Sequence, residues 1–195
     1  MKRQDIILAS ASPRRIRMFR ERGYEAESVS PRVRESVPFE MDPETTVMYL
    51  ALIKARDVMQ KRKGLIISAD TVVVYQGRII TKPESPEEAF RILSGMREDR
   101  HQVITGVCIA DNSGERPRVR CLYDTTDVFF GYYSDEWLRE YVQTREPYDK
   151  AGGYAIQETF GQHVDHIEGD MDNVIGFPMY RVEKYLQEPP EAERR

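Results

Sequence analysis

Residues 65–80 read LIISADTVVVYQGRII. The density of β-branched and apolar residues, closed by Gln76-Gly77, predicts a strand, a tight turn and a returning strand. Apolar side chains fall on both faces of the first strand, which is the pattern of a strand inside a covered sheet. A single charge interrupts it. Asp70 is costly in such a strand unless it is paired, metal-bound or turned toward a polar cleft. Alternation puts Ser68 and Asp70 on one face and Thr71 on the other.

The segments around this strand alternate between helix and strand signals without strict order. DIIL leads into SASPRR, where Ser12 suits an N-cap and Pro13 the first helical position, with the helix passing Ile16 and Phe19 and stopping at Gly23. YEAESVS alternates like a strand, and the proline-rich PRVRESVPFEMDPE reads as a loop. DPETTVMYLALIKARDVMQKRKG predicts a long helix with an acidic start and a basic end, and SPEEAFRILSG a short one. HQVITGVCIAD and VRCLYDTTDVFF flank NSGERP as a hairpin. SDEWLREYVQTRE is a capped helix, GQHVDHIEG holds a short strand, and GFPMYRVEKYLQ closes with a helix.

The expectation is one α/β domain over residues 1–187, with a mixed, twisted β-sheet flanked by helices and two lobes around a cleft. EPPEAERR, residues 188–195, reads as a disordered tail. With 195 residues, 40% hydrophobic and 32% charged, the chain can bury a sizeable core. The net charge of −4 argues against broad binding to nucleic acid polymers, though not against a local basic pocket. No run reaches the length of a membrane span, and MKRQDIIL lacks the pattern of a signal peptide, so a cytoplasmic protein is expected. Cys108 and Cys121, the two cysteines, are expected to be reduced thiols that act as small apolar packing residues.

LASASPRR carries the first chemical signal. A strand, a serine turn and a helix start would aim backbone N–H groups and the positive helix end at an anion, beside Arg14 and Arg15, whose guanidiniums can grip oxygens in pairs. Lys54, on the long helix among apolar neighbours, and Lys82, in TKPES past the returning strand, would complete a cationic pocket suited to a polyphosphate. DKAGGYAIQE, residues 149–158, is rich in small residues that let backbone approach a ligand. Within it, Gln157 offers one donor and one acceptor, a match for the imide edge of a pyrimidine. Glu168, Asp170 and Asp172 lack calcium-loop spacing, and His163 and His166 read as packing or surface residues.

In their order along the chain, LASASPRR, ALIKA, SADTVVV, TKPES, LSG, HQVITGV, EYVQTREPYDKAGGYAIQ and IEGDMDNVIGFP resemble the Maf family of nucleoside triphosphate pyrophosphatases. The resemblance implies an α/β fold and a cytoplasmic house-cleaning enzyme, with links in some members to septum formation or division arrest. The implied reaction hydrolyses a nucleotide to its monophosphate and pyrophosphate with a divalent cation, Mg²⁺ or Mn²⁺. A homodimer is an expectation of the family alone.

By the same resemblance, Asp70 is the catalytic carboxylate and, with Glu35, a metal ligand. Ser10, Arg14, Arg15, Lys54, Thr71, Lys82 and Gln157 are substrate-binding residues. Arg14, Thr71 and Gln157 match the branch acting on dTTP and UTP. The branch acting on 7-methylguanosine triphosphate typically has tryptophan, glutamine and glutamate there. The sequence departs from the family's usual DVDE at RVRES, where Arg32 and Arg34 replace acids, and at Thr81, which replaces the glycine of GKP. Two rival readings are a 7-methyl-GTP-type pyrophosphatase and a nucleotide-binding regulatory protein with little catalysis. A nucleotide panel separates the first and a metal titration the second.

Overall fold

The computed structural model describes residues 6–187, so the expected tail at 188–195 lies outside the described residues. The elements run β1 (Ile6–Leu8), α1 (Pro13–Glu21), β2 (Ala26–Ser28), α2 (Pro43–Met59), β3 (Leu65–Tyr75), β4 (Arg78–Ile80), α3 (Pro86–Met96), β5 (Arg100–Asp111), β6 (Arg118–Phe130), α4 (Asp135–Tyr141), β7 (Val164–Glu168), α5 (Met171–Ile175) and α6 (Met179–Gln187). Helix starts follow one chemistry. Asp42 caps α2 through the Thr45 amide at 2.8 Å, Ser85 caps α3 through Glu88 at 3.2 Å, and α1, α2 and α3 each begin on a proline.

The strands form one mixed, seven-stranded sheet ordered β2-β1-β3-β5-β6-β7, with β4 also on β3. β1 lies parallel to both β2 and β3, whereas β5 runs antiparallel to β3 and β6, and β7 antiparallel to β6. The turn into β4 has Gln76 at φ 50° and Gly77 at φ 73°, the left-handed pair that the hairpin's twist requires. Two features differ from the sequence reading. Met171–Ile175 forms a one-turn helix, ended by Gly176 at φ 112°, too short for a periodic signal. The stretch after α4 winds into three short 3₁₀ turns, at Glu146–Asp149, Ala151–Gly153 and Thr159–His163.

The apolar core is divided along β3. Leu65, Ile67 and Ala69 pack with Phe19 and Phe177 under α1 and α6, and Ile66 packs with Ala51 and Ala55 of α2. Val73 instead joins an aromatic core with Phe130, Tyr133, Tyr154 and Phe160. Asp70 and Thr71 sit at the seam between these cores. Opposite Asp70 on β5 stands Gly106, where a Cβ would overlap the Val47 backbone of α2. That close approach sets α2 directly over the seam. His163 packs on Trp137 at 4.0 Å and His166 stacks on Phe129 at 4.2 Å, in agreement with the packing reading. Among the described residues no helix is long and apolar enough to cross a membrane.

Candidate active site

One edge of β3 is shared by two partners. β1 pairs with Leu65–Ile67 and β4 with Val73–Tyr75. Between them, residues 68–72 have no strand on that edge among the described residues. The chain leaves β1 at Leu8 and enters α1 through Ala9–Ser12, so this turn and the start of α1 stand in the gap. A crevice outside the carboxyl end of a parallel strand is the usual ligand site of an open α/β sheet. Here it opens into a cleft of about 460 Å³, within the range of about 300–1,000 Å³ typical of small-molecule sites.

All nine residues nominated from the sequence line this cleft: Ser10, Arg14, Arg15, Glu35, Lys54, Asp70, Thr71, Lys82 and Gln157. They come from the β1–α1 turn, the first turn of α1, the loop before α2, α2 itself, β3, the loop after β4 and the segment before Thr159. Five cations and three carboxylates line the cleft, a local positive excess in a chain of net charge −4. This matches an anionic ligand.

Asp70 and Lys54 form the buried centre, each 7% exposed. Ser68 Oγ donates to the Ala51 carbonyl at 2.6 Å, which seats α2 on that face of β3. One turn further along α2, Lys54 Nζ donates to Asp70 Oδ1 at 2.6 Å and lies 3.0 Å from Glu35 Oε2. The predicted face assignment holds, since Ser68 and Asp70 meet α2 while Thr71 meets Arg15 and Gly176 on the other side.

The two arginines divide. Arg15 donates from Nε to the Gly176 carbonyl at 2.8 Å, from Nη1 to the Ala69 carbonyl at 2.9 Å and from Nη2 to Thr71 Oγ1 at 3.0 Å. It joins α1, β3 and the end of α5, and its charge remains at the cleft wall. Burial lowers its pKa; Asp70 counters, Arg14 adds to the lowering and Glu35 opposes it. Thr71 Oγ1 is also 2.9 Å from Thr105 Oγ1 and 3.4 Å from the Gly176 carbonyl, so its hydroxyl belongs to this network. Arg14, Lys82 and Gln157 make no hydrogen bond or ion pair with the described residues and are open to a ligand. Ser10 is buried and its Oγ accepts from the Ser12 amide at 3.1 Å, shaping the turn.

Sequence reasoning missed Asp149 and Lys150, which also line the cleft. Lys150 is 6% exposed, and its Nζ donates to the Glu146 carbonyl at 2.9 Å and to Asp149 Oδ1 at 2.7 Å, and lies 3.1 Å from Glu158 Oε2. Burial pushes the Asp149 pKa up, but the Lys150 hydrogen bond and charge and the Arg14 charge prevail, and it titrates below its ordinary value. The Asp-Lys pair heading the glycine-rich stretch was the available signal. Below this segment Tyr154 Oη and His101 Nε2 share a buried hydrogen bond of 2.6 Å. Burial lowers the His101 pKa to about 4, against the pull of Asp99 and Asp127.

Among the described residues no group of three or more His, Cys, Asp or Glu side chains converges as a metal cage. Asp70 and Glu35 nonetheless flank one point, marked by the Lys54 ammonium. Two carboxylates suit a Mg²⁺-type ion that keeps waters and takes its other oxygens from substrate phosphates. The donor pair fits a hydrated divalent cation that shares an anionic ligand.

A family model described as Maf-like protein matches residues 5–189. The dTTP/UTP pyrophosphatase of Caldicellulosiruptor bescii is 41% identical over 187 residues, covering 93% of each chain. The dTTP/UTP pyrophosphatase of Flavobacterium johnsoniae is 36% identical over 189 residues, covering 95% of each. Among solved structures, the Staphylococcus aureus Ham1 protein aligns at 13% identity with a TM-score of 0.49, over 94% of this chain and 98% of that one. The match to the family model runs from the strand before the serine turn to beyond the closing helix, and with it the chain belongs to the Maf family.

Proposed function

We propose that the protein hydrolyses dTTP and UTP to the nucleoside monophosphate and pyrophosphate. The observation that carries this reading is the convergence of nine residues, scattered from Ser10 to Gln157, on one cleft with a cationic lining. The names of the relatives at 36–41% identity support the same substrates.

The triphosphate would lie across the start of α1, where Arg14 and Lys82 line the cleft beside Ala11 of the serine turn. Arg15 and Lys54 add positive charge from the walls, fixed before substrate arrives, and such preorganised charge is where most of the rate comes from in phosphoryl chemistry. Asp70 Oδ1 is held by Lys54, which leaves Oδ2 to orient a water in line with the α-phosphorus and to accept its proton. Asp70 and Glu35 would hold Mg²⁺ or Mn²⁺, which when bound neutralises phosphate charge and favours departure of pyrophosphate. Gln157 would read the base edge. Thr71 would act on the base pocket by fixing Arg15 and the Gly176 carbonyl.

Pyrophosphate release from dTTP, UTP, CTP, ATP, GTP and 7-methyl-GTP, with Mg²⁺, Mn²⁺ or chelator, tests the proposal. Metal-dependent release led by dTTP and UTP is expected. Preference for 7-methyl-GTP would overturn the base assignment, and absence of turnover from a folded sample would overturn the enzymatic reading.

A further inference from the structure

Cys108 and Cys121 are cross-strand partners, directly opposed in the β5–β6 register. Both were expected to be small apolar packing residues, and both do pack in the apolar cluster against α2, where they also face each other. Cys108 is fully buried among Ala51, Ala55 and Val58 of α2, and Cys121 packs on the same cluster from its edge. Cys121 is only half-buried, and its same-face neighbours on β6, Val119 and Tyr123, are exposed at 46% and 43%. The pair is therefore closed to solvent at one thiol and open at the other.

Directly opposed residues of antiparallel strands have Cα atoms about 4.5–5.5 Å apart, inside the roughly 4.4–6.8 Å range of disulfides. The register thus places the two Cα atoms at disulfide spacing, and closing the bond draws the two Cβ atoms together across the β5–β6 pair. We propose that Cys108 and Cys121 form a reversible thiol–disulfide site, oxidised by a peroxide that enters at Cys121.

The chemistry assigns the roles. The thiol-to-thiol interaction holds the Cys121 pKa below its ordinary value, although burial opposes this, and raises that of Cys108, with burial adding to the rise. Solvent reaches Cys121 and not Cys108, so Cys121 is the nucleophile and Cys108 the resolving thiol. The Cys121 thiol gives up its proton, its thiolate attacks a peroxide oxygen, the O–O bond breaks, and a sulfenic acid forms as the other oxygen leaves as hydroxide, which takes up that proton to become water. The Cys108 sulfur then attacks the sulfenic sulfur, the S–O bond breaks, and the thiol proton leaves with the hydroxide as a second water. Two thiols are oxidised by two electrons and one peroxide is reduced. A dithiol reductant reverses the change.

The site shares a face of the sheet with Asp70. Cys108 lies opposite Ser68 on β3, and Asp70 opposite Gly106, two residues further along each strand. The bond would thus join β5 to β6 directly beneath α2, the helix that carries Lys54.

The test uses the full chain treated with hydrogen peroxide, quenched, unfolded and alkylated. Intact mass and peptide mapping should show loss of two hydrogen atoms per chain, no alkylated cysteine and one crosslinked peptide pair, with both thiols recovered after dithiothreitol. Cys108→Ala should divert Cys121 to sulfenic and sulfinic acid, and Cys121→Ser should leave Cys108 unmodified under the same dose. Because Cys121 lies at the cluster's edge, Cys121→Ser remains informative if Cys108→Ala fails to fold. Two alkylated cysteines after peroxide, overoxidation of Cys121 in the unaltered chain, or crosslinks only between chains would each overturn the proposal.

Discussion

Lys54 and Lys150 are alike in isolation. They are 7% and 6% exposed, both line the cleft, and each ammonium lies between two carboxylates. They differ in what surrounds the partners. Asp70, opposite Lys54, is itself buried in the middle of β3, whereas the side chains of Asp149 and Glu158, opposite Lys150, are 71% and 41% exposed. Water can therefore take over the Lys150 carboxylates but not Asp70. The Lys54 pair is a charge arrangement set in place by two covered elements. The Lys150 pair is a clamp that gathers an irregular segment by its ends. The same ionic groups are locked between covered elements in one place and tie together an irregular segment in the other.

The largest test of that contrast is Asp70→Asn. It keeps the shape and removes the proposed base, so pyrophosphate release should fall by about 10²–10⁴-fold while the circular dichroism spectrum is unchanged. Retention of most activity would remove Asp70 from the chemistry. Lys54→Met leaves a buried carboxylate unpaired and should lower unfolding free energy in urea by about 3–5 kcal/mol. The double change Lys54→Met with Asp70→Asn should recover much of that loss, which a merely packing role for Lys54 would not predict.

Acid offers a third test, this time on the loop side. The folded pKa of His101 is about 4, below its ordinary 6.5, so the unfolded chain takes up the proton first. Stability present above about pH 6.5 should therefore drain away as pH falls toward 4, by about 3 kcal/mol from this group. His101→Gln should flatten that part of the urea-midpoint profile. Lys150→Met should be milder, about 1–2 kcal/mol, because its carboxylates can be rehydrated. Its signature is a raised KM with a smaller change in kcat. Glu35→Gln should be the smallest in stability, under about 1 kcal/mol, since the Glu35 side chain is 57% exposed. Its effect belongs in the Mg²⁺ concentration needed for half-maximal turnover.

The lysine contrast also marks how far the sequence could be read. Asp70 was legible because a charge within a β-branched strand has few stable explanations, and Lys54 because it stands among apolar helix neighbours. The capped helices and the β3–β4 turn were legible because their signals are local. Lys150 was not, because burial of a lysine in an irregular segment depends on how Glu146, Asp149 and Glu158 are gathered, and no periodicity records that. Arg15 was expected to hold phosphate as Arg14 does. That three of its donors would go to Ala69, Thr71 and Gly176 depends on contacts up to 161 positions away. The one-turn helix α5 was hidden for the same reason, since its seating rests on Asn173, whose amide donates to the Val103 carbonyl at 2.9 Å.

The Arg15 strut has a consequence for how the protein is made. Its Nε acceptor, the Gly176 carbonyl, lies 161 residues downstream. At about 5–20 residues per second, a ribosome needs roughly 10–30 s to bridge that interval. Once β3 has emerged, the serine turn and the Asp70 strand wait as nascent chain for the wall that fixes the guanidinium. An incomplete chain thus carries the serine turn without its finished geometry. A stalled chain ending before Gly176 should fail to retain nucleotide on a column that captures the released protein.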